Sequence, residues 1–187
     1  TTLFRSAAAS LKEVAPDVLN VVPVLVAQTP AVVKQMNAQS VSNSLWAAAT
    51  LKESAPEVFD IVPALVAQVP TIVEKMNAQN LSNSLWAGAT LRDFVPDVRK
   101  LVPLLSAQVP RITPTMNSQN VSNSLWAAAT LREVAPDLLK MVPALVAEIS
   151  ATRESMNAQD VSNNFWAAAT LKEAAPDVLN MVHALVA

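Results

Sequence analysis

Four tryptophans, Trp46, Trp86, Trp126 and Trp166, stand at intervals of 40 residues, and the chain around them repeats almost letter for letter. It reads MNAQSVSNSLWAAATL from Met36, MNAQNLSNSLWAGATL from Met76, MNSQNVSNSLWAAATL from Met116 and MNAQDVSNNFWAAATL from Met156. The prolines keep the same period. Pro16, Pro56, Pro96, Pro136 and Pro176 form one column, and Pro23, Pro63, Pro103 and Pro143 a second, with His183 in its last slot. Pro30, Pro70 and Pro110 form a third, with Ser150 in the fourth place, and Pro114 alone falls outside. A period of this length marks a stacked-repeat architecture, in which a unit cannot bury its apolar face alone and leans on its neighbours. The chain divides into a partial unit (1–35), three whole units (36–75, 76–115 and 116–155) and an incomplete one (156–187).

Within a unit the local signals are helical. Asn37 is placed to cap a helix from Ala38 to Glu53. Ser40 and its counterparts Asn80, Asn120 and Asp160 fall at the third helical position, where a side chain can fold back on the cap. The Ala55-Pro56 pair ends this helix, because a residue before proline is pushed out of the α region. Pro56 suits the first position of a second helix, and Glu57 sits favourably near its N-terminus. That second helix is expected to reach Gln68, kinked or restarted at Pro63, with Pro70 opening a turn into the next Met-Asn. On the first helix Val41, Leu45 and Ala48 share one face at about 100° per residue, and Ala47 and Leu51 lie on another. A helix apolar on most sides is a buried one. A narrow polar stripe remains, made of Gln39, Asn43 and Thr50 with Trp46 at its margin. The fold expected is all-α: a right-handed α-solenoid of about four and a half helix-pair units.

Composition removes most alternatives. Glycine makes up about 7% of an average chain, yet this one has a single glycine, Gly88. β-Hairpin turns and phosphate-cradling loops both need more. With no cysteine and one histidine, His183, there is no disulfide framework, thiolate metal site or multi-histidine centre to expect, and no cofactor. His183 fills a proline slot, so a replaced structural residue is the better reading of it than a catalyst. The longest apolar runs, such as Val21–Ala27 and Met141–Ala147, are interrupted by proline and fall short of the roughly 20 residues a membrane span requires. No transmembrane segment is expected. Carboxylates recur in every unit, as Glu53 and Glu57, Asp93 and Asp97, Glu133 and Asp137. Repetition is what capping and surface solvation produce, whereas a catalytic pair is needed once, so no enzyme is expected.

The run Asn-x-Gln-x-x-x-Asn-x-Leu-Trp-Ala-x-Ala-x-Leu stands here as Asn37, Gln39, Asn43, Leu45, Trp46, Ala47, Ala49 and Leu51, and returns in the next three units, with Phe165 in the leucine place of the last. It resembles the signature of octotricopeptide repeats, and of the related heptatricopeptide-type repeats found with RAP domains in algal and protist organelle proteins. The resemblance spans essentially the whole chain. It departs from the family pattern at Met36, where an aromatic is usual, and in lacking a glycine soon after Leu51. The resemblance implies an α-solenoid, a chloroplast or mitochondrial setting, and often RNA binding.

Several columns are candidates for contact with a partner. The tryptophans could stack on bases, but their alanine and leucine neighbours favour core packing. Asn43, Asn83, Asn123 and Asn163, with the glutamine and threonine of the stripe, could read base edges or hold stacked helices together; the structural role is preferred. The column Ser40, Asn80, Asn120 and Asp160 varies within one polar class, as a modular code would, yet capping accounts for it more simply. A basic column, Lys12, Lys52, Arg92, Arg132 and Lys172, is shadowed by an acid at the next position from Glu13 to Glu173. Such alternation reads as a solvated or ion-paired face. A net charge of −2 gives no general attraction to nucleic acid. The most diverse segments, such as AVVKQ from Ala31 and RITPT from Arg111, join successive units and suit partner-specific contacts.

The chain opens inside a helix of the first type, with Ser6 in the tryptophan slot, and closes at Ala187 within one of the second. Neither end carries a polar capping repeat, so the segment is expected to belong to a longer array or to dock at both ends. The function expected is that of a protein-interaction scaffold, an accessory subunit of a large organellar assembly. The alternative is an organellar RNA-binding protein acting in RNA processing, stability or translation, with the Ser40 and Lys52 columns as its contacts.

Overall fold

The computed structural model describes residues 16–186, and every regular element among them is helical. In chain order the α-helices are α1 (Val22–Val32), α2 (Ala38–Leu51), α3 (Val62–Ile72), α4 (Ala78–Leu91), α5 (Leu101–Ser106), α6 (Val109–Ile112), α7 (Ser118–Leu131), α8 (Val142–Thr152), α9 (Ala158–Leu171) and α10 (Val178–Val186). Short 3-10 turns link them, such as Pro56–Ile61 and Val73–Lys75.

The tryptophan motif forms the long helices α2, α4, α7 and α9, each of 14 residues. Each begins where an asparagine cap was expected. Asn37, Asn77, Asn117 and Asn157 hold extended backbones and accept a hydrogen bond from the amide three residues on, at 2.9 to 3.0 Å. The first of them ends at Leu51, two residues short of Glu53. There Ser54 and Ala55 both donate their amides to the Leu51 carbonyl, closing the turn ahead of Pro56.

The second helical segment follows its prolines only in part. Pro56 begins a 3-10 turn, not an α-helix, and the α-helix restarts at Val62 with Pro63 in its first turn. That start costs nothing, since a first-turn amide has no partner inside the helix. Pro70, expected to open a turn, instead lies inside α3, which continues to Ile72. The ring removes a single bond one turn from the helix end, and the Val33, Val73 and Thr113 carbonyls still accept from the next Met amide at 3.0 to 3.1 Å. Unit four makes the same point: Ser150 replaces the proline, yet α8 is 11 residues long like α3. Only unit three breaks near this column, between α5 and α6.

Packing is between like elements. α2 lies along α4, α4 along α7, and α7 along α9, while α3, α5, α8 and α10 pack on their own unit's long helix and α1, α3 and α5 on the 3-10 turn of the unit after them. Leu45, Leu85 and Leu125 are buried between the long helices, and Leu65, Leu105 and Leu145 lie beneath them in one continuous core. Val41 and Ala48 are buried with Leu45, while Ala87 and Leu91 are buried on the other flank of α4. Hydrogen bonds cross the joints as well. Asn80 Nδ2 donates to Ser42 Oγ at 3.1 Å, and Asn120 Nδ2 repeats the bond to Ser82 Oγ at 3.0 Å.

The stretch Pro56–Lys75 is long and apolar enough to cross a membrane, at a mean hydropathy of 1.3 over an 18-residue window. Runs counted between prolines did not reveal it, because the helical path continues through Pro63 and Pro70. Its Val58, Val62, Leu65 and Val69 are spent on the core.

Gly88 stands where Ala48, Ala128 and Ala168 stand in the other units. A Cβ built there would meet Leu101 Cδ1 at 3.8 Å, an ordinary contact. Gly88→Ala is therefore expected to stabilise the chain by roughly 0.5–1 kcal/mol, read as a higher urea midpoint. A lower midpoint would contradict the packing described for α4 and α5.

Candidate interaction surface

The side of each long helix turned away from the second segments carries the stripe. Gln39 and Asn43 are exposed on α2, with Trp46 and Thr50 half-buried beside them. On α4 and α7 the tryptophan and threonine stay half-buried, while Asn83 is half-buried and Asn123 is buried. The i, i+4, i+7 and i+11 spacing puts these four residues on one line along the helix. Stacking the helices then lays the lines side by side.

The tryptophans were expected in the core, and they lie at its margin: Trp86 and Trp126 are half-buried and pack against it, Trp46 is half-buried, and Trp166 is 44% exposed. The four indoles form a ladder along the edge of the helix layer. Successive ring centroids are 6.3, 6.4 and 6.2 Å apart, with interplanar angles of 32°, 34° and 34°. Alanine at the positions after each tryptophan lets the long helices approach closely enough for the rings to meet.

The Ser40 column lies elsewhere. Asn80, Asn120 and Asp160 are at most 7% exposed, tucked into the joints between long helices. Each completes a capping box: their side chains accept from the amides of Asn77, Asn117 and Asn157 at 3.3, 3.3 and 3.1 Å. Ser40 alone is exposed, and no capping box forms around it. At the last joint the carboxylate of Asp160 has no amide to donate. Ser122 Oγ donates to the Ser118 carbonyl at 2.8 Å, with the Asp160 carbonyl also at 3.4 Å.

The basic column closes the helix ends. Arg92 and Arg132 donate to the Ala89 and Ala129 carbonyls at 3.1 and 3.0 Å, bonds that a helix C-terminus leaves open. Each cation also meets the acid after it, Lys52 with Glu53 at 3.2 Å, Arg92 with Asp93 at 3.4 Å and Arg132 with Glu133 at 2.9 Å. The cations are 23%, 34% and 35% exposed, the acids 83%, 69% and 79%. In each of these three pairs the acid is the more exposed partner. Lys52 Nζ also lies 4.7 Å from the Phe94 ring, which stacks on Phe59 at 5.4 Å. Lys172 is exposed, and Lys12 lies outside the described residues. The acids after the column prolines do not serve these cations: Asp97 pairs with Lys100, and Asp137 with Lys140 at 2.6 Å.

The diverse connecting segments hold units together. Gln68 Nε2 donates to the Lys34 and Met36 carbonyls at 3.4 Å, and Arg111 Nη2 to the Met76 carbonyl at 3.2 Å. A glutamine column, Gln28, Gln68 and Gln108, stands just before these variable segments, and Gln108 Oε1 accepts from Arg111 Nε and Nη2 at 3.1 and 3.0 Å.

Compared with known protein families, curated proteins and solved structures, the chain matches none.

Proposed function

We propose that the chain is a non-catalytic α-solenoid interaction scaffold, and that a protein partner docks on the tryptophan-lined side of its long helices. The observation that carries this reading is the pairing along the neighbouring edge, where Glu53, Asp93 and Glu133 are more exposed than Lys52, Arg92 and Arg132, the cations they pair with. An approaching phosphate backbone meets carboxylates first, and phosphate contacts dominate nucleic-acid affinity. The stripe itself, indoles interleaved with amides and hydroxyls, has the aromatic and weakly charged character of a protein-interface centre. Placement as an accessory subunit of a large chloroplast or mitochondrial assembly rests on the octotricopeptide resemblance.

One observation favours a second reading, organellar RNA binding. Half-exposed indoles recur once per unit, and stacking on aromatic planes is sequence-tolerant. Lys52, Arg92, Arg132 and Lys172 would then serve the phosphates, and affinity would fall steeply with salt as counterions are released.

Two measurements separate the readings. The first is filter binding of single-stranded RNA at low and high salt. The second places a photo-crosslinking residue at Gln79, on the stripe, or at Asp60, away from it, in native extract. The scaffold reading expects no RNA retention at either salt, and protein adducts from position 79 that survive ribonuclease and are absent at 60. Salt-sensitive retention, or adducts that ribonuclease removes, would replace it with the RNA reading.

A further inference from the structure

The step of the tryptophan ladder limits what can lie along it. Ring centroids follow one another at 6.3, 6.4 and 6.2 Å from Trp46 to Trp166. A polypeptide that touches every ring needs side chains at that interval on one face. An α-helix offers about 6 Å between residues four apart, but each such step turns about 40° around the axis, so the fourth side chain points about 120° away from the first. An extended chain offers about 6.4–6.8 Å between alternate residues and keeps them all on one face. The flanking rows suit the same geometry. A helix arrives with its backbone groups already paired, whereas an extended segment brings amides and carbonyls that need partners. The long helices α4 and α7 lie between described neighbours on both sides. On them Gln79 is exposed and Gln119, Asn83, Thr90 and Thr130 are half-buried beside the indoles, with only Asn123 of the stripe buried. Side-chain amides both donate and accept, as an extended backbone requires.

We propose that the stripe binds an extended, basic segment of a protein partner, with lysine or arginine at every second position. The inference rests on the protein-partner reading of the stripe. Charge selects the side chains. The stripe itself is uncharged, and one exposed carboxylate per unit stands along its threonine side: Glu53, Asp93, Glu133 and Glu173. The first three are 83%, 69% and 79% exposed, and the cations they pair with are less so. Two of those cations are also held by their own helix ends, Arg92 by the Ala89 carbonyl and Arg132 by the Ala129 carbonyl. A long cationic side chain satisfies both rows at once. Its aliphatic stem covers an indole while its head stays in water beside the carboxylate, and a cation close to an indole is itself favourable. The chain already makes a contact of this kind, with Lys52 Nζ 4.7 Å from the centre of the Phe94 ring.

Selection from a library of short random linear peptides on the immobilised whole chain, followed by titration of the enriched peptides, tests it. Enriched sequences are expected to carry lysine or arginine at alternate positions, and to bind about tenfold more tightly than peptides of the same composition in shuffled order. Trp126→Ala should cost about tenfold in affinity, with far-UV circular dichroism checking that the helices remain. Glu133→Lys alters a side chain that is 79% exposed, so the fold is untouched, and it should cost about threefold. Basic residues at the four-residue spacing of a helix, affinity that shuffling leaves unchanged, or no enrichment at all would overturn the extended segment. So would enriched peptides that bind both variants as tightly as the parent chain. The scaffold reading is judged separately, by the adducts from position 79. If those survive ribonuclease while the peptides fail, a protein partner of another shape occupies the stripe; if ribonuclease removes them, both readings fall together.

Discussion

Replacing Leu125 with alanine is expected to lower stability by about 2–5 kcal/mol. Leu125 is fully buried on α7, the long helix lying between α4 and α9. Truncation there removes apolar contact and leaves a void that two neighbouring helices must close. The position adds a second effect. Stability in a repeat array is the sum of unit terms and nearest-neighbour terms, so weakening a central joint uncouples the units on either side. The urea transition should therefore move to lower denaturant and also broaden or split, departing from two-state behaviour. Phe165→Ala supplies the control. It occupies the same repeat position but is 42% exposed, and should cost under about 2 kcal/mol with no broadening. Equal costs for the two substitutions would show that the joints between long helices do not hold the chain together.

Asn120 carries the second large effect. Its side chain accepts from the Asn117 amide at 3.3 Å and donates to Ser82 Oγ at 3.0 Å, so it caps its own helix and ties α7 to α4. Asn120→Ala takes the side-chain acceptor from the Asn117 amide and the donor from the buried Ser82 hydroxyl, at a cost of about 1–3 kcal/mol. Asn120→Asp should cost less. It restores the capping acceptor, as Asp160 does on α9 at 3.1 Å, and places negative charge near a helix N-terminus. Only the donor to Ser82 is lost. Urea midpoints should therefore rank wild type above the aspartate variant and the aspartate variant above alanine. If aspartate and alanine were equally destabilising, the bond across the joint would carry the stabilisation and the capping box little of it.

The long helices were legible in the sequence because their signals are local. Asn37 caps, Ala55-Pro56 stops, and the apolar positions between them have helical spacing. The second segment was harder to read, since proline acts there in two ways. At Pro63 the missing amide falls in a first turn and starts a helix, whereas at Pro70 it falls near the end of one and is tolerated. Both look alike in the sequence, and only the position of the preceding helix start separates them. The place of the Ser40 column in the joints could be read as capping, but the bonds to Ser42 and Ser82 could not, because the partners lie 38 residues away. The tryptophans were read only in part for a related reason. Alanine neighbours suggest burial, yet whether an indole at the margin of a polar stripe points inward depends on the next helix over. The charge order at Glu53, Asp93 and Glu133 is likewise a matter of side-chain reach, which adjacency in the chain does not settle.

The tryptophan ladder has one more consequence. Its three steps differ by no more than 0.2 Å in spacing and 2° in angle (6.3, 6.4 and 6.2 Å; 32°, 34° and 34°), although the units around them differ in sequence. The joint is thus one geometric element used three times, and a small change in it is multiplied along the chain. Rings this close share their electronic excitation, so the near-ultraviolet spectrum of the four indoles reads the pitch of the whole array. A partner that bends or winds the chain would register there without any added label, and one that clamps a single unit would leave most of the signal unmoved.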